Sequence, residues 1–185
     1  MDRTRRALRT GAILGIAVAA AGCHSAASPR PAHGSPAATT AAAPSSASPS
    51  SGAAPTSCTV ITVAQASTAL GQPAKPPIRG KATVEGGVAC VYYGPHVPLS
   101  VSPDIPVGDT VRVVLVTGPN AKKFFDDYRH KVSAQAISGL GDSAYYDGYA
   151  SVSVLKGDAY VRIAVGILNP LSAEEALARD ALPRM

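Results

Sequence analysis

The 185-residue chain has no tryptophan, two phenylalanines, four histidines and three cysteines, and Asp, Glu, Lys and Arg make up only 16% of it. Each shortage removes a class of function. Two of the four histidines, His96 and His130, fall in the part whose composition suits a folded domain. They are too few and too isolated for a zinc site, so no metal or other cofactor is expected. Basic residues are scattered and nowhere interleave with aromatics, which leaves a phosphate-tracking groove without support and excludes nucleic acid as the expected partner. The formal charge of +5 does not alter this, because the first 22 residues contribute four arginines and one aspartate, leaving +2 for all that follows. A long apolar run is also missing. The run at residues 11–22 would reach roughly 18 Å as a helix, short of the ~30 Å hydrocarbon core of a bilayer, so a permanent transmembrane helix is not expected.

What is present at the N-terminus is an export leader. Arg3, Arg5, Arg6 and Arg9 form a basic region ahead of that apolar run, and the stretch "ILGIAVAAAGC" ends on Cys23. The small residues Ala20, Ala21 and Gly22 before Cys23 look like the lipobox of bacterial lipoproteins, in which the cysteine sulfur takes a diacylglyceryl group and becomes the mature N-terminus. An ordinary secretory signal with a nearby cysteine is the alternative. The pair Arg5-Arg6 also resembles a twin-arginine export signal. Residues 1–22 are therefore read as a signal peptide and Cys23 as the lipid attachment site. The expected location is the cell membrane, lipid-anchored and facing the extracytoplasmic side.

Residues 24–57 comprise 34 positions, 26 of them Ala, Ser or Pro, with no Val, Ile, Leu, Met or aromatic. Such a segment cannot bury enough apolar surface to offset its ordering entropy. With Cys23 it reads as a disordered tether over residues 23–57, with ends on the order of 30 Å apart. Its Ser, Thr and Pro content also fits an O-glycosylated stalk.

Residues 58–185 have the length of one domain with one core and show no internal repeat. They hold two cysteines, Cys58 and Cys90, and in an oxidising compartment an even pair reads as a disulfide. Thr62 and Gln65 make a capping box for a short helix ending at Leu70 and Gly71. Strands are expected at residues 88–93, 97–102 and 111–117. Pro119 suits the first turn of a helix that aligns Ala121, Phe124, Phe125, Tyr128 and Val132. On its other side Lys122 and Lys123 stand four residues before Asp126 and Asp127, a solvated face rather than a carboxylate dyad. Gly157-Asp158 marks a hairpin whose buried face is Val152, Val154, Val161, Ile163 and Val165, with Ser151, Ser153 and Arg162 pointing away. Ser172 and Glu175 suggest a second capping box opening a last helix stopped by Pro183. The fold class is α+β: an antiparallel sheet of five or six strands with about three helices packed mainly on one face.

Three catalytic patterns occur and fail on context. "GLGDSA" at residues 139–144 mimics a dinucleotide fingerprint but is followed by β-like sequence where a helix is required. Its Ser143 could be a hydrolase nucleophile, with only His96 and His130 as candidate bases. Ser153 and Lys156 have S-x-x-K spacing but lie on an alternating strand. The plain reading of "GLGD" is a tight turn with its glycines at positive φ. Tyrosine is the better lead. Tyr92, Tyr93, Tyr145, Tyr146, Tyr149 and Tyr160 could line a ligand-facing groove, or fill the edge of a core with their polar tips wet.

A cysteine before a short helix ending in "ALG", a second in "CVYY", then "GLGDSAYY", "VLKGDAYVRIAV" and "ALARDAL" resemble a family of small actinobacterial envelope lipoproteins carrying a domain of unknown function. The resemblance implies a secreted, disulfide-bonded, lipid-tethered domain, and no catalytic residue. The expected function is a non-enzymatic binding or interaction module of the cell envelope, whose partners are the membrane through Cys23 and an envelope protein or apolar ligand. A carrier of a lipid or other apolar ligand, lined by the tyrosines and the residue 124–128 helix, is the second reading. A serine hydrolase using Ser143 is the third.

Overall fold

The structure, a computed structural model, describes residues 54–185; the expected leader, Cys23 and most of the tether lie outside them. Seven strands form one antiparallel sheet: β1 (Ile78–Ala82), β2 (Gly87–Tyr93), β3 (Thr110–Thr117), β4 (Gln135–Ile137), β5 (Ser143–Tyr146), β6 (Val152–Lys156) and β7 (Ala159–Val165). Their spatial order is β1-β2-β3-β7-β6-β5-β4. The expected α+β class holds, but the strand count exceeds the expected five or six. Residues 97–102 are a loop, because Pro95, Pro98 and Pro103 remove ladder donors in and around them. Three strands escaped notice: β1 and β4, the two edges, where little is buried and alternation carries no signal, and the four-residue β5, whose sequence reads only as β-like after the turn.

The strands alternate cleanly, and both faces of the sheet are covered. On the first face, Cys90, Tyr92, Val113, Val154, Val161, Ile163 and Val165 pack against α1 (Val63–Leu70) and α3 (Leu171–Ala181). The disulfide forms as expected, with Cys58 and Cys90 Cα atoms 5.2 Å apart across 32 residues of chain. Helix α1 carries the full capping box of Thr62 and Gln65 and ends on Gly71 at φ 68°. For α3 the expected capping box is absent. The helix starts two residues earlier, at Leu171, with no side-chain cap, and Glu175 pairs instead with Arg179 at 2.8 Å. Leu182–Arg184 then form a 3-10 turn containing Pro183.

The second face carries α2 (Ala121–Arg129), whose Phe125 packs on Tyr145 and Tyr160 with ring centroids 4.9 and 5.7 Å away. Pro119 lies just before its N-cap, Asn120, and Val132 beyond its end. The pairs Lys122–Asp126 and Lys123–Asp127 form on its exposed side. Ser151, Ser153 and Arg162 do point away from the first face, yet not into solvent: all three are buried. A sheet with two covered faces explains why β7 is buried at every position.

Candidate functional site: an uncharged cleft at one end of the sheet

The cleft forms where strand ends meet loops. Antiparallel pairing brings Tyr93, Thr110, Val165 and Tyr146 to one end of the sheet, together with the loops at residues 94–109, 147–151 and 166–170. There Val107, Tyr146, Tyr149, Ile167, Leu168 and Leu171 enclose most of an open cleft of about 990 Å³. Among the described residues, none that lines it is charged; its polar groups are the two tyrosyl hydroxyls, the Asn169 amide and main chain. Tyr149 is 85% exposed and Leu168 93%, so large apolar surface is held in water at the rim.

The floor is built by close main-chain approach. The Asp109 N–H donates to the Gly166 carbonyl at 2.7 Å and the Gly166 N–H to the Thr110 carbonyl at 2.8 Å. A Cβ on Gly166 would lie 2.1 Å from the Val107 carbonyl oxygen, so no other residue fits there. Asp109 and Asn169, one on each facing loop, sit at φ 59° and 53°, a conformation these two residue types tolerate better than most.

Beneath the wall lies an unusual carboxylate. The β6–β7 ladder ends at Val152–Ile163, so the Val165 N–H extends past its last pair, and Glu174 Oε1 accepts it at 3.1 Å. Glu174 is fully buried and its Oε2 has no hydrogen-bond partner. Burial pushes its pKa up to about 7, with the Val165 N–H opposing the shift, nearby Asp147 adding to it and Arg162 opposing it.

A second polar assembly lies between the two apolar patches of the second face. Arg112 forks onto Glu85, Nη1 to Oε1 at 2.6 Å and Nη2 to Oε2 at 3.1 Å, and its Nε donates to the Pro103 carbonyl. Arg162 Nη1 reaches the same Glu85 Oε1 at 2.8 Å, its Nε donates to Ser151 Oγ at 2.8 Å, and its guanidinium covers the Tyr128 ring at 3.9 Å. Asp147 Oδ1 accepts the N–H groups of Tyr149, Ala150 and Ser151. Burial alone would raise the Glu85 carboxyl, but Arg112 and then Arg162 hold it below its ordinary value. Asp147 is likewise held low against burial, by Ser151 and the loop N–H groups. Every partner is used internally, so this cluster is a structural one.

The six tyrosines separate into two groups. Tyr92 donates to the Ile61 carbonyl at 2.9 Å, Tyr93 to that of Val101 at 2.8 Å and Tyr145 to that of Phe125 at 3.2 Å, while the Tyr160 hydroxyl meets Ser153 at 3.4 Å. These four are buried and face no ligand space; burial pushes the Tyr92 and Tyr145 hydroxyls up to about 12. Only Tyr146 and Tyr149 line the cleft. Ser143 lies on β5 opposite Leu155, while His96 and His130 are exposed on other elements, and among the described residues no hydrogen bond joins them to it. Lys156 is turned to the Leu182 carbonyl and Ser153 to Tyr160, so the S-x-x-K pair does not assemble. "GLGD" is a turn with Gly139 and Gly141 at φ 77° and 56°, and Leu140 plugs the first-face core. Among the described residues there is no group of three or more His, Cys, Asp or Glu able to hold a metal, and no helix long and apolar enough to cross a membrane.

Sequence reasoning missed the cleft, Glu174 and the ionic cluster. The apolar "GILNPL" at residues 166–171 was the available signal for the cleft, since apolar residues in a Gly-, Asn- and Pro-marked loop have no strand or helix to bury them. Fold and site together define an α+β domain with an open apolar cleft at one end of an antiparallel sheet. No protein-family model, curated protein or solved structure matches the chain.

Proposed function

We propose that this protein is a lipid-anchored, extracytoplasmic binding module of a cell envelope, of the actinobacterial lipoprotein kind its motifs resemble, and that it holds an uncharged apolar partner group in the cleft bounded by Tyr146, Tyr149, Ile167 and Leu168. The observation that carries this reading is the cleft itself: apolar, free of charge and rimmed by large side chains kept in water. The disulfide supports an oxidising compartment. The position of the chain's entry supports a cleft held clear of the anchor. Ser57 Oγ donates to the Val88 carbonyl at 2.6 Å and accepts the Leu115 N–H at 2.8 Å. Leu115 is four residues along β3 from Val111, the partner of Val165, so the tether joins about 13 Å from the cleft along the strand.

The carrier reading lined its cavity with the residue 124–128 helix and the tyrosines; Phe125, Tyr145 and Tyr160 pack ring against ring under that helix, and of the six tyrosines only Tyr146 and Tyr149 line open space. An open cleft suits a partner group that enters and leaves better than a cargo that must be sealed from water. The test is photo-crosslinking on intact cells of the source organism with benzoyl-phenylalanine in place of Tyr149, and in place of Lys122 on the far side of α2 as control. One reproducible species captured from position 149 and absent from position 122 is the expected result. Identical capture from both positions, or none from 149, sinks the proposal. In the same cells Cys23→Ala should release the protein from the membrane fraction.

A further inference from the structure

Among the described residues one buried side-chain atom is left without a partner, Glu174 Oε2. We propose that Glu174 is a proton-operated latch on the cleft: protonated, it holds the first turn of α3 and the 166–170 loop against β7, and ionised, it lets them move and weakens the hold on an apolar occupant. The proposal rests on the cleft reading above and adds its regulation.

Position makes the latch. Glu174 lies one turn into α3 from Leu171, and among the described residues its side chain accepts one hydrogen bond, from the Val165 N–H, so it ties the helix start to the last residue of β7. Both tied residues flank the loop that supplies Ile167, Leu168 and Asn169 to the cleft. Further along, Leu177, Ala178 and Ala181 keep α3 in the core, so the helix start can lift without unfolding the domain. The surroundings decide what ionisation does. The one guanidinium near it, that of Arg162, is already committed to Glu85, Ser151 and Tyr128, and Asp147 brings charge of the same sign. A carboxylate buried without a counter-charge costs far more than a neutral acid, and lifting the wall into water relieves it.

The other titratable groups facing Glu174 stay fixed across neutrality. Asp147 on the β5–β6 loop is held low, and burial pushes Tyr146 on β5 up. Arg162 on β7 keeps its charge, its neighbouring acids outweighing burial. With a latched pKa of about 7 and an ordinary value of 4.5 once opened, linkage makes the open fraction rise about tenfold between pH 6 and pH 8.

The experiment uses the full chain carrying Cys23→Ala, so that no detergent is needed, with and without Glu174→Gln, which keeps an acceptor for Val165 and cannot ionise. Amide exchange of residues 165–171, corrected for intrinsic rates, and binding of the neutral fluorophore N-phenyl-1-naphthylamine are followed from pH 6 to 8. The expected result is about tenfold faster exchange and weaker probe binding at the upper pH, both absent in E174Q. Exchange that is flat with pH in the unsubstituted protein overturns the latch whether or not the probe binds. Exchange that rises identically in E174Q assigns the effect to another group and overturns it as well. A latch that opens on schedule while the probe binds at no pH shows that the cleft reading, and not the titration, has failed. Should E174Q not fold, carbon NMR of the Glu174 carboxyl decides: a midpoint near 7 that coincides with the exchange transition supports the latch, and one near 4.5 overturns it.

Discussion

The two faces of the sheet are stabilised by opposite chemistry. The first is aliphatic, closed by α1, α3 and the disulfide, and the one buried charge-bearing group it holds among the described residues, Glu174, has no cation of its own there. The second is split into two apolar patches with Glu85, Arg112, Arg162 and Asp147 between them, two acids against two bases. An aliphatic layer tolerates repacking as long as volume is kept. A forked Arg112–Glu85 pair with Arg162 on the same oxygen tolerates one arrangement, so the second face sets where α2 and the residue 83–86 loop come to rest. Burial therefore supplies most of the stability on one face and geometry most of the specificity on the other.

Breaking the ionic side gives the largest effect. Glu85→Gln leaves the buried Arg112 guanidinium without a carboxylate and Arg162 with Asp147 alone at 3.5 Å, and removing one partner of a buried network costs about 3–5 kcal/mol. Urea unfolding of the oxidised domain should show this loss. A double replacement, Glu85→Leu with Arg112→Met, should cost less than Arg112→Met alone, because the single variant leaves two buried acids, Glu85 and Asp147, on Arg162, whereas the double variant leaves the Arg162–Asp147 pair balanced. If the double variant is the less stable of the two, the cluster contributes more than desolvation allows and the comparison between faces is wrong.

The next test uses pH, to which the faces respond with opposite sign. Glu85 and Asp147 are held below their ordinary values, so what they contribute is present above about pH 4.5 and is lost as pH falls through their folded pKa values. Glu174 is raised from 4.5 to about 7, so its contribution is complete below 4.5, declines as pH rises, and is gone above 7. Between those limits the domain should lose roughly 3 kcal/mol, and Glu174→Gln should be flat over the same range. Unfolding curves at pH 5 and pH 7.5 suffice. Equal stability at the two values in the unsubstituted protein would show that Glu174 finds a partner when ionised.

How much of this was legible follows the same division. Face one could be read from the sequence because period-two alternation in β7 and the Gly157-Asp158 turn record burial directly, and because two cysteines in the domain leave one pairing. Face two could not. Arg162 alternates with Val161 and Ile163, and a charged residue at an alternating position reads as solvent-facing unless a second covering layer is known. Glu85 is 77 residues from Arg162 and Asp147 is 15. No local spacing links them. The capping-box pattern of Ser172 and Glu175 misled for a related reason: Glu174 turns inward to the Val165 N–H, a demand created by where β6 stops and not by the helix itself.

The smallest stability effect carries the most functional information, and it lies with the tyrosines. Tyr92→Phe removes a hydroxyl that donates to the Ile61 carbonyl in the first-face core, and about 1 kcal/mol should go with it while the cleft is untouched. Tyr149→Ala alters a side chain 85% exposed at the cleft rim, so stability should stay within about 0.5 kcal/mol. Its effect should fall on binding. Loss of N-phenyl-1-naphthylamine binding in Tyr149→Ala, with Tyr92→Phe binding as before, would separate the tyrosine that meets a partner from the one that holds the core. Equal binding in both variants would mean that the exposed ring is ordinary surface, and the charge-free cleft would then have to bind through Ile167 and Leu168 alone.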